Sequence, residues 1–322
     1  MRSMSSQNEK IRRLMRLFFY RKDMYMKDQL LKALVCQGRV RLYIARTTDL
    51  VQEARNRFDL YPCASAALGR TLSVGTMMGS MLKSDQEMLT ITINGHGPIG
   101  TVMVDAYANG NVRGFVSNPH VPTQKKEDGH LDVGGAVGTN GTLTVTKDLH
   151  MEENWTGTVA LQSGEIGEDF AYYFTLSEQI PTAVDVGVLV GADHHIISSG
   201  AMIIQMLPDA TETDIAICEH VLQGLKPMSQ IMQEYDDSSL EQLAIDMFED
   251  VQILGTQDIQ YWCPCSKTRM ARALSTIADH DLEAMIHEDH GAEVTCNFCN
   301  EVYQFSEQEL VDILEMKHAT RS

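Results

Sequence analysis

Two pairs of cysteines carry the clearest chemistry in this chain: Cys263 and Cys265 in Tyr261-Trp262-Cys263-Pro264-Cys265, and Cys296 and Cys299 in Thr295-Cys296-Asn297-Phe298-Cys299. A Cys-x-Cys and a Cys-x-x-Cys flanking a helical segment can bring four thiolates around one tetrahedral Zn²⁺, so one zinc per chain is expected when the thiols are reduced. The thiolate that binds a metal is also the species that attacks an oxidant. A single intervening residue would let Cys263 and Cys265 join only through a strained loop, which makes such a bond labile. Lys267, Arg269 and Arg272 lie at the start of a helix expected from about Ser266. They could favour the thiolate form, or they could simply be a solvated helix face.

Other candidate groups are weaker. His280, His287 and His290 fall between the two pairs, but four sulfurs already complete the shell, so these imidazoles are expected at the surface. Cys36, Cys63 and Cys218 have no partner at metal spacing and are expected as small apolar residues or bystander thiols. Gly95-His96-Gly97-Pro98-Ile99-Gly100 matches the dinucleotide fingerprint in letters only. Another strand-like run follows it where a helix N-terminus would have to hold a pyrophosphate, so a hairpin loop is expected. Asp193-His194-His195 has no third partner at useful spacing and is assigned no chemistry. No catalytic residue is assigned, and the chain is expected not to be an enzyme.

The elements that must position the cysteines read as an α+β fold. Residues 48–57 and 64–82 carry helical apolar spacing, whereas 88–93 and 101–105 alternate like strands. Asn140-Gly141 is a turn signal before the alternating residues 142–146, and 184–190 and 196–207 add strand-like runs. A mixed α/β core is therefore expected over residues 26–208. Residues 209–257 change character: from 209 to 250 eleven acidic side chains face Lys226 alone. Apolar residues still recur at helical spacing there, at Val221, Leu222, Leu225 and Met228 and again at Leu240, Leu243, Ala244 and Met247. A helical acidic linker is expected, docked through those faces and loosened by self-repulsion. Residues 258–322 form the expected small C-terminal zinc-binding, redox-switch unit, too small to rely on its core alone. Residues 1–25 are basic, unlike the rest, and are expected to be a leader or upstream extension before a natural beginning at Met26.

Composition narrows the function. The 322-residue chain has 44 acidic against 26 basic side chains, a net charge near −18, which repels nucleic-acid phosphates. Neither a membrane-length apolar run nor a signal-peptide pattern is present, so a soluble, cytoplasmic protein is expected, with no nucleic-acid or membrane partner. Nineteen methionines would suit an adaptable apolar surface as well as a core.

At the cysteines the sequence resembles the redox-regulated 33-kDa heat-shock protein family of bacterial holdase chaperones, from about Met26 onward. The resemblance is carried by Thr47-Thr48-Asp49-Leu50-Val51, Ala66-Ala67-Leu68-Gly69-Arg70, Gly97-Pro98, Val112-Arg113-Gly114, Ser163-Gly164-Glu165-Ile166, Ser177-Glu178-Gln179 and Cys296-Asn297-Phe298-Cys299. It implies ATP-independent capture of unfolding client proteins by an oxidised form, with the reduced, zinc-bound form inactive. It also implies a Cys263–Cys265 and a Cys296–Cys299 disulfide on oxidation, and a homodimer when active. Two other readings remain on the residues alone: a static zinc-ribbon interaction module, and a thiol-disulfide oxidoreductase.

Overall fold

The structure, a computed structural model, describes residues 27–319. The expected leader at residues 1–25 lies outside the described residues. Strands β1 (Gln29–Val35) and β2 (Val40–Arg46) form a hairpin whose turn holds Cys36, Gln37 and Gly38 in the left-handed region, at φ 53°, 57° and 83°. Helices α1 (Thr48–Phe58) and α2 (Pro62–Gly79) follow, then the antiparallel run β3 (Met88–Asn94), β4 (Thr101–Tyr107) and β5 (Asn111–Val116). The Gly95-to-Gly100 stretch is the β3–β4 connection, in keeping with the hairpin reading. A short α3 (Val133–Val137), β6 (Thr142–Asp148), β7 (Trp155–Ala160), α4 (Gly167–Leu176), β8 (Thr182–Val190) and β9 (Ile196–Met206) complete the first part.

Helix α2 lies between two sheets. Every one of its residues except Arg70 is buried, which is why its sequence is small and apolar all round instead of amphipathic. Three of its buried hydroxyls are satisfied within the helix: Thr71, Ser73 and Thr76 each donate to the carbonyl four residues back at 2.8 Å. A Cβ at Gly69 would come within 2.6 Å of Val51, so glycine is what allows α2 to close on α1. Arg70 reaches out to Glu165 at 2.7 Å, where Lys126 also pairs with the same carboxylate at 2.6 Å. The loop that presents Glu165 is organised by buried Asp169, whose carboxylate accepts the N–H groups of Gln162, Ser163, Gly164 and Ile166. Those bonds hold Ile166 at φ 77°, a conformation a β-branched residue adopts only when its surroundings impose it.

The acidic linker is helical and docked. Helices α5 (Glu212–Gly224), α6 (Met228–Glu234) and α7 (Leu240–Met247) cover the outer face of the sheet. Cys218, Met228, Ile231, Met232, Leu240, Leu243, Ala244 and Phe248 pack there on Leu31, Val35, Leu42, Ile44, Met202 and Ile204. The apolar run 221–228 is not one continuous helix: α5 ends at Gly224 and α6 restarts at Met228, because Pro227 cannot donate a helical hydrogen bond and disfavours helical geometry before it. The buried methionines of this layer fill a core; Met151 and Met316 are the exposed ones among the described large apolar side chains.

The segment entering the cysteine unit is extended, unlike the helices before it. β10 (Gln252–Asp258) pairs antiparallel with β1, and β11 (Gln260–Tyr261) pairs parallel with β5. One short stretch therefore edges both sheets, with strand orders β10-β1-β2-β9-β8 and β11-β5-β4-β3-β6-β7. Beyond it come α8 (Lys267–Leu274), α9 (Asp279–His287), the hairpin β12 (Gly291–Thr295) and β13 (Val302–Ser306), and α10 (Glu307–Ala319). Its own core is small: Leu274, Leu282, Ile286, Phe305, Leu310 and Ile313. The whole is an α+β fold with an N-terminal core and a C-terminal cysteine cluster. Among the described residues no helix is long and apolar enough to cross a membrane.

Candidate metal centre

Each pair of cysteines is delivered by a different piece of local structure. Cys263 and Cys265 leave the end of β11, and Pro264 between them keeps the chain extended before Ser266 caps α8 by accepting the Arg269 N–H. Cys296 and Cys299 form the knuckle between β12 and β13. There the N–H groups of Cys299 and Asn300 both donate to the Cys296 carbonyl, and Asn300 takes the left-handed conformation at φ 59°.

The fold brings all four sulfurs within 4.8 Å of one another, and no other described group of three or more His, Cys, Asp or Glu is so arranged. Cys263 and Cys296 Sγ are 3.8 Å apart, and Cys265 and Cys299 Sγ 3.2 Å. A tetrahedron with metal–sulfur arms of about 2.3 Å has edges of about 3.8 Å, so the residues present fit a Zn²⁺-sized centre, and an all-sulfur donor set suits zinc. Cys296 and Cys299 are buried and the first pair is half-buried. None of the three histidines joins the sulfur cluster; His290 faces Glu307 and His280 faces Asp281.

The centre is pressed against the core. Arg113 is 8% exposed; its Nη1 donates to Cys263 Sγ at 3.3 Å, its Nε and Nη2 donate to Asp105 at 3.0 and 2.7 Å, and its guanidinium lies 4.0 Å from the centre of the Phe298 ring. Phe298 meets Phe115 edge to face, with ring centres 5.2 Å apart. Arg57 donates to the Cys299 carbonyl, and Asn300 donates back to the Arg57 carbonyl at 3.0 Å. The Tyr261 hydroxyl donates to the Gly114 carbonyl at 2.8 Å, and the Tyr303 hydroxyl donates to Cys265 Sγ at 3.1 Å.

These contacts set the acidities. Burial pushes the Cys263 thiol up, but the hydrogen bonds from Arg113 and the Cys265 backbone outweigh it and leave the group below its ordinary value. Burial raises Cys296 and Cys299. The cation at the sulfurs is thus Arg113 of the core. Of the cations expected on α8, Lys267 turns to Glu309 at 2.5 Å. Arg113 lay in plain view in the Val112-Arg113-Gly114 stretch, but nothing in its spacing from the cysteines pointed to them. Among the bystander thiols, Cys36 and Cys218 are neighbours close enough to shift each other's acidity, although nothing in their sequence positions suggests it.

A family model described as Hsp33 protein matches residues 28–306. The 33 kDa chaperonin of Halalkalibacterium halodurans is 47% identical over 290 residues, covering 90% of this chain and 99% of that protein. The 33 kDa chaperonin of Bacillus cereus strain AH187 is 47% identical over 291 residues with the same coverage. Among solved structures, the crystal structure of the 33 kDa chaperonin from Thermotoga maritima superposes with a TM-score of 0.83 at 33% identity, covering 91% of this chain and all of that one. With the model spanning most of the chain and the relatives matched nearly end to end, the chain belongs to the Hsp33 family and is a chaperone of that type.

Proposed function

We propose that the chain is an ATP-independent holdase whose client binding is controlled by oxidation of Cys263, Cys265, Cys296 and Cys299. The observation that carries this reading is the four-sulfur cluster seated on the core through Arg113, because it couples thiol chemistry to the docking of the linker. In the reduced state the four thiolates hold one Zn²⁺, and such sites contribute roughly 10–16 kcal/mol to folding in small modules. Six buried apolar side chains supply a similar gross amount, about 9–18 kcal/mol, which the conformational entropy of ordering the whole unit offsets, so the unit depends on its sulfurs. Oxidation to Cys263–Cys265 and Cys296–Cys299 removes two electrons from each pair of thiolates, and one hydrogen peroxide per pair, taking two protons from solution, becomes two waters. Disulfide sulfurs are no longer thiolate donors, so residues 258–322 lose their clamp and unfold.

The unit and the linker share one chain segment, β10 to β11. Its release frees the acidic helices of residues 209–257 from the sheet, uncovering Leu31, Val35, Leu42, Ile44 and Met202 for unfolding clients. The active form is a homodimer acting in the cytoplasm, without nucleic acid or membrane, in line with a charge near −18. Zinc released to a chromophoric chelator is measured before and after peroxide, in parallel with suppression of citrate synthase aggregation. Zinc loss accompanied by gain of protection supports the proposal. Zinc loss with no gain in protection or apolar-dye binding refutes it. Unchanged activity with and without oxidant favours the static zinc module, and catalytic insulin reduction the oxidoreductase.

A further inference from the structure

Two thiols outside the metal centre meet across the seam between core and linker. Cys36 opens the β1–β2 turn, and Cys218 lies within α5; they are 5% and 2% exposed. Their thiols are close enough to shift each other's acidity, and both side chains pack in the apolar layer beneath the linker. Cys63 points elsewhere, toward the Gln124 carbonyl at 3.6 Å.

The same turn grips the linker at both ends. Arg39 places Nε and Nη2 on the two oxygens of Asp214 at 2.8 Å each, and the N–H of Cys36 donates to Asp250 at 3.0 Å, with the Gln37 N–H on the other oxygen. The left-handed backbone at Cys36 and Gln37 points those two amides at one carboxylate. Alongside runs a groove of about 770 Å³, walled by Cys36, Ile217, Val221, Phe248 and Asp250, wide enough to bring a peroxide to the Cys36 sulfur.

We propose that Cys36 and Cys218 form a second oxidation site, whose disulfide staples the first linker helix to the core and so opposes its release. This rests on the reading of the linker as the element set free. Hydrogen peroxide oxidises the Cys36 thiolate to a sulfenic acid, its other oxygen leaving as hydroxide that takes up the proton lost by the thiol. The Cys218 sulfur then displaces the sulfenic oxygen as water, with its own proton. In sum two thiols lose two electrons and two protons, and one peroxide becomes two waters. Burial pushes both thiols up, Cys218 to about 12, so the pair holds little thiolate at neutral pH and answers to sustained oxidant. Chains whose linker is still docked at that stage are locked shut.

The test uses the full-length, zinc-loaded chain treated with hydrogen peroxide, alkylated, digested without reduction and mapped by mass spectrometry. A linked peptide joining Cys36 to Cys218 is expected, absent from Cys36→Ser and from Cys218→Ser. In the linked fraction a glutamate-specific protease should cut the linker at least tenfold more slowly than in equally oxidised Cys36→Ser. Cys36→Ala replaces that control if serine unfolds the apolar layer by circular dichroism. No linked peptide, or no enrichment over the urea-unfolded chain, overturns the site. A linked chain cut as fast as the control overturns the staple. The linked peptide is read without reference to linker release, and faster cutting of the Cys36→Ser control after peroxide than before it reports that release, so a failure of the proposed function is told apart from a failure of the staple.

Discussion

Replacing Arg113 by methionine tests whether the core and the sulfur cluster are held as one unit. The guanidinium is the charged partner of Asp105, whose side chain is 5% exposed and would keep only the Thr90 hydroxyl at 2.7 Å. Removing one member of a buried pair leaves an uncompensated charge and costs about 3–5 kcal/mol. For a chain of this size that corresponds to a melting temperature roughly 10 °C lower, read by differential scanning calorimetry of the reduced, zinc-loaded protein. Methionine also removes the donor to Cys263 Sγ and the cation facing Phe298, so zinc should bind about 10–100-fold more weakly in a chelator competition. Adding Asp105→Asn removes the stranded charge and should restore most of the stability but not the zinc affinity. A single variant that melts within 2 °C of the parent, on the order of 1 kcal/mol, refutes the argument. So does a double variant whose loss equals the sum of the two single losses.

Three further outcomes follow from other sites. Asp28 is 6% exposed, and burial raises its carboxyl from 3.8 to about 7. The native chain therefore keeps a proton the unfolded chain gives up, and stability falls by about 3 kcal/mol as pH rises from 4 to 7. Asp28→Asn, which can still accept the Leu50 N–H, should flatten that decline in urea midpoints; an unchanged slope would show that Asp28 is charged in the fold. A Cβ at Gly187 would lie 2.6 Å from the Ser229 nitrogen on α6, so Gly187→Ala should lift this helix at a cost of about 1–3 kcal/mol and speed proteolysis of the linker without oxidant. Cys296→Ser with Cys299→Ser removes the proposed zinc clamp and should protect citrate synthase without peroxide; a variant silent in every condition counts against the switch.

The elements with a strong repeat were legible in the sequence. Alternation over 88–93 and 101–105 gave β3 and β4, and the apolar spacing of the linker named the residues that dock it. The four-cysteine site was legible because its ligands come as two close pairs. What escaped was set by tertiary pairing. β10 exposes nearly all its side chains, so no alternation marks it, and it is a strand because β1 offers a free edge. Arg113 and Cys218 gain their roles from neighbours far away in the chain, at Cys263 and Cys36, which periodicity does not encode.

β10 illustrates a further property of this architecture. Six of its seven residues, all but Gln257, are exposed, and the strand keeps its place on β1 through main-chain hydrogen bonds. A ledge held in that way selects for extension and length and ignores side-chain identity. The β1 edge therefore places almost no constraint on the composition of the segment that covers it, and mutations in residues 252–256 should be tolerated far better than equal changes in the buried Leu31 or Leu42 on the neighbouring strands of the same sheet.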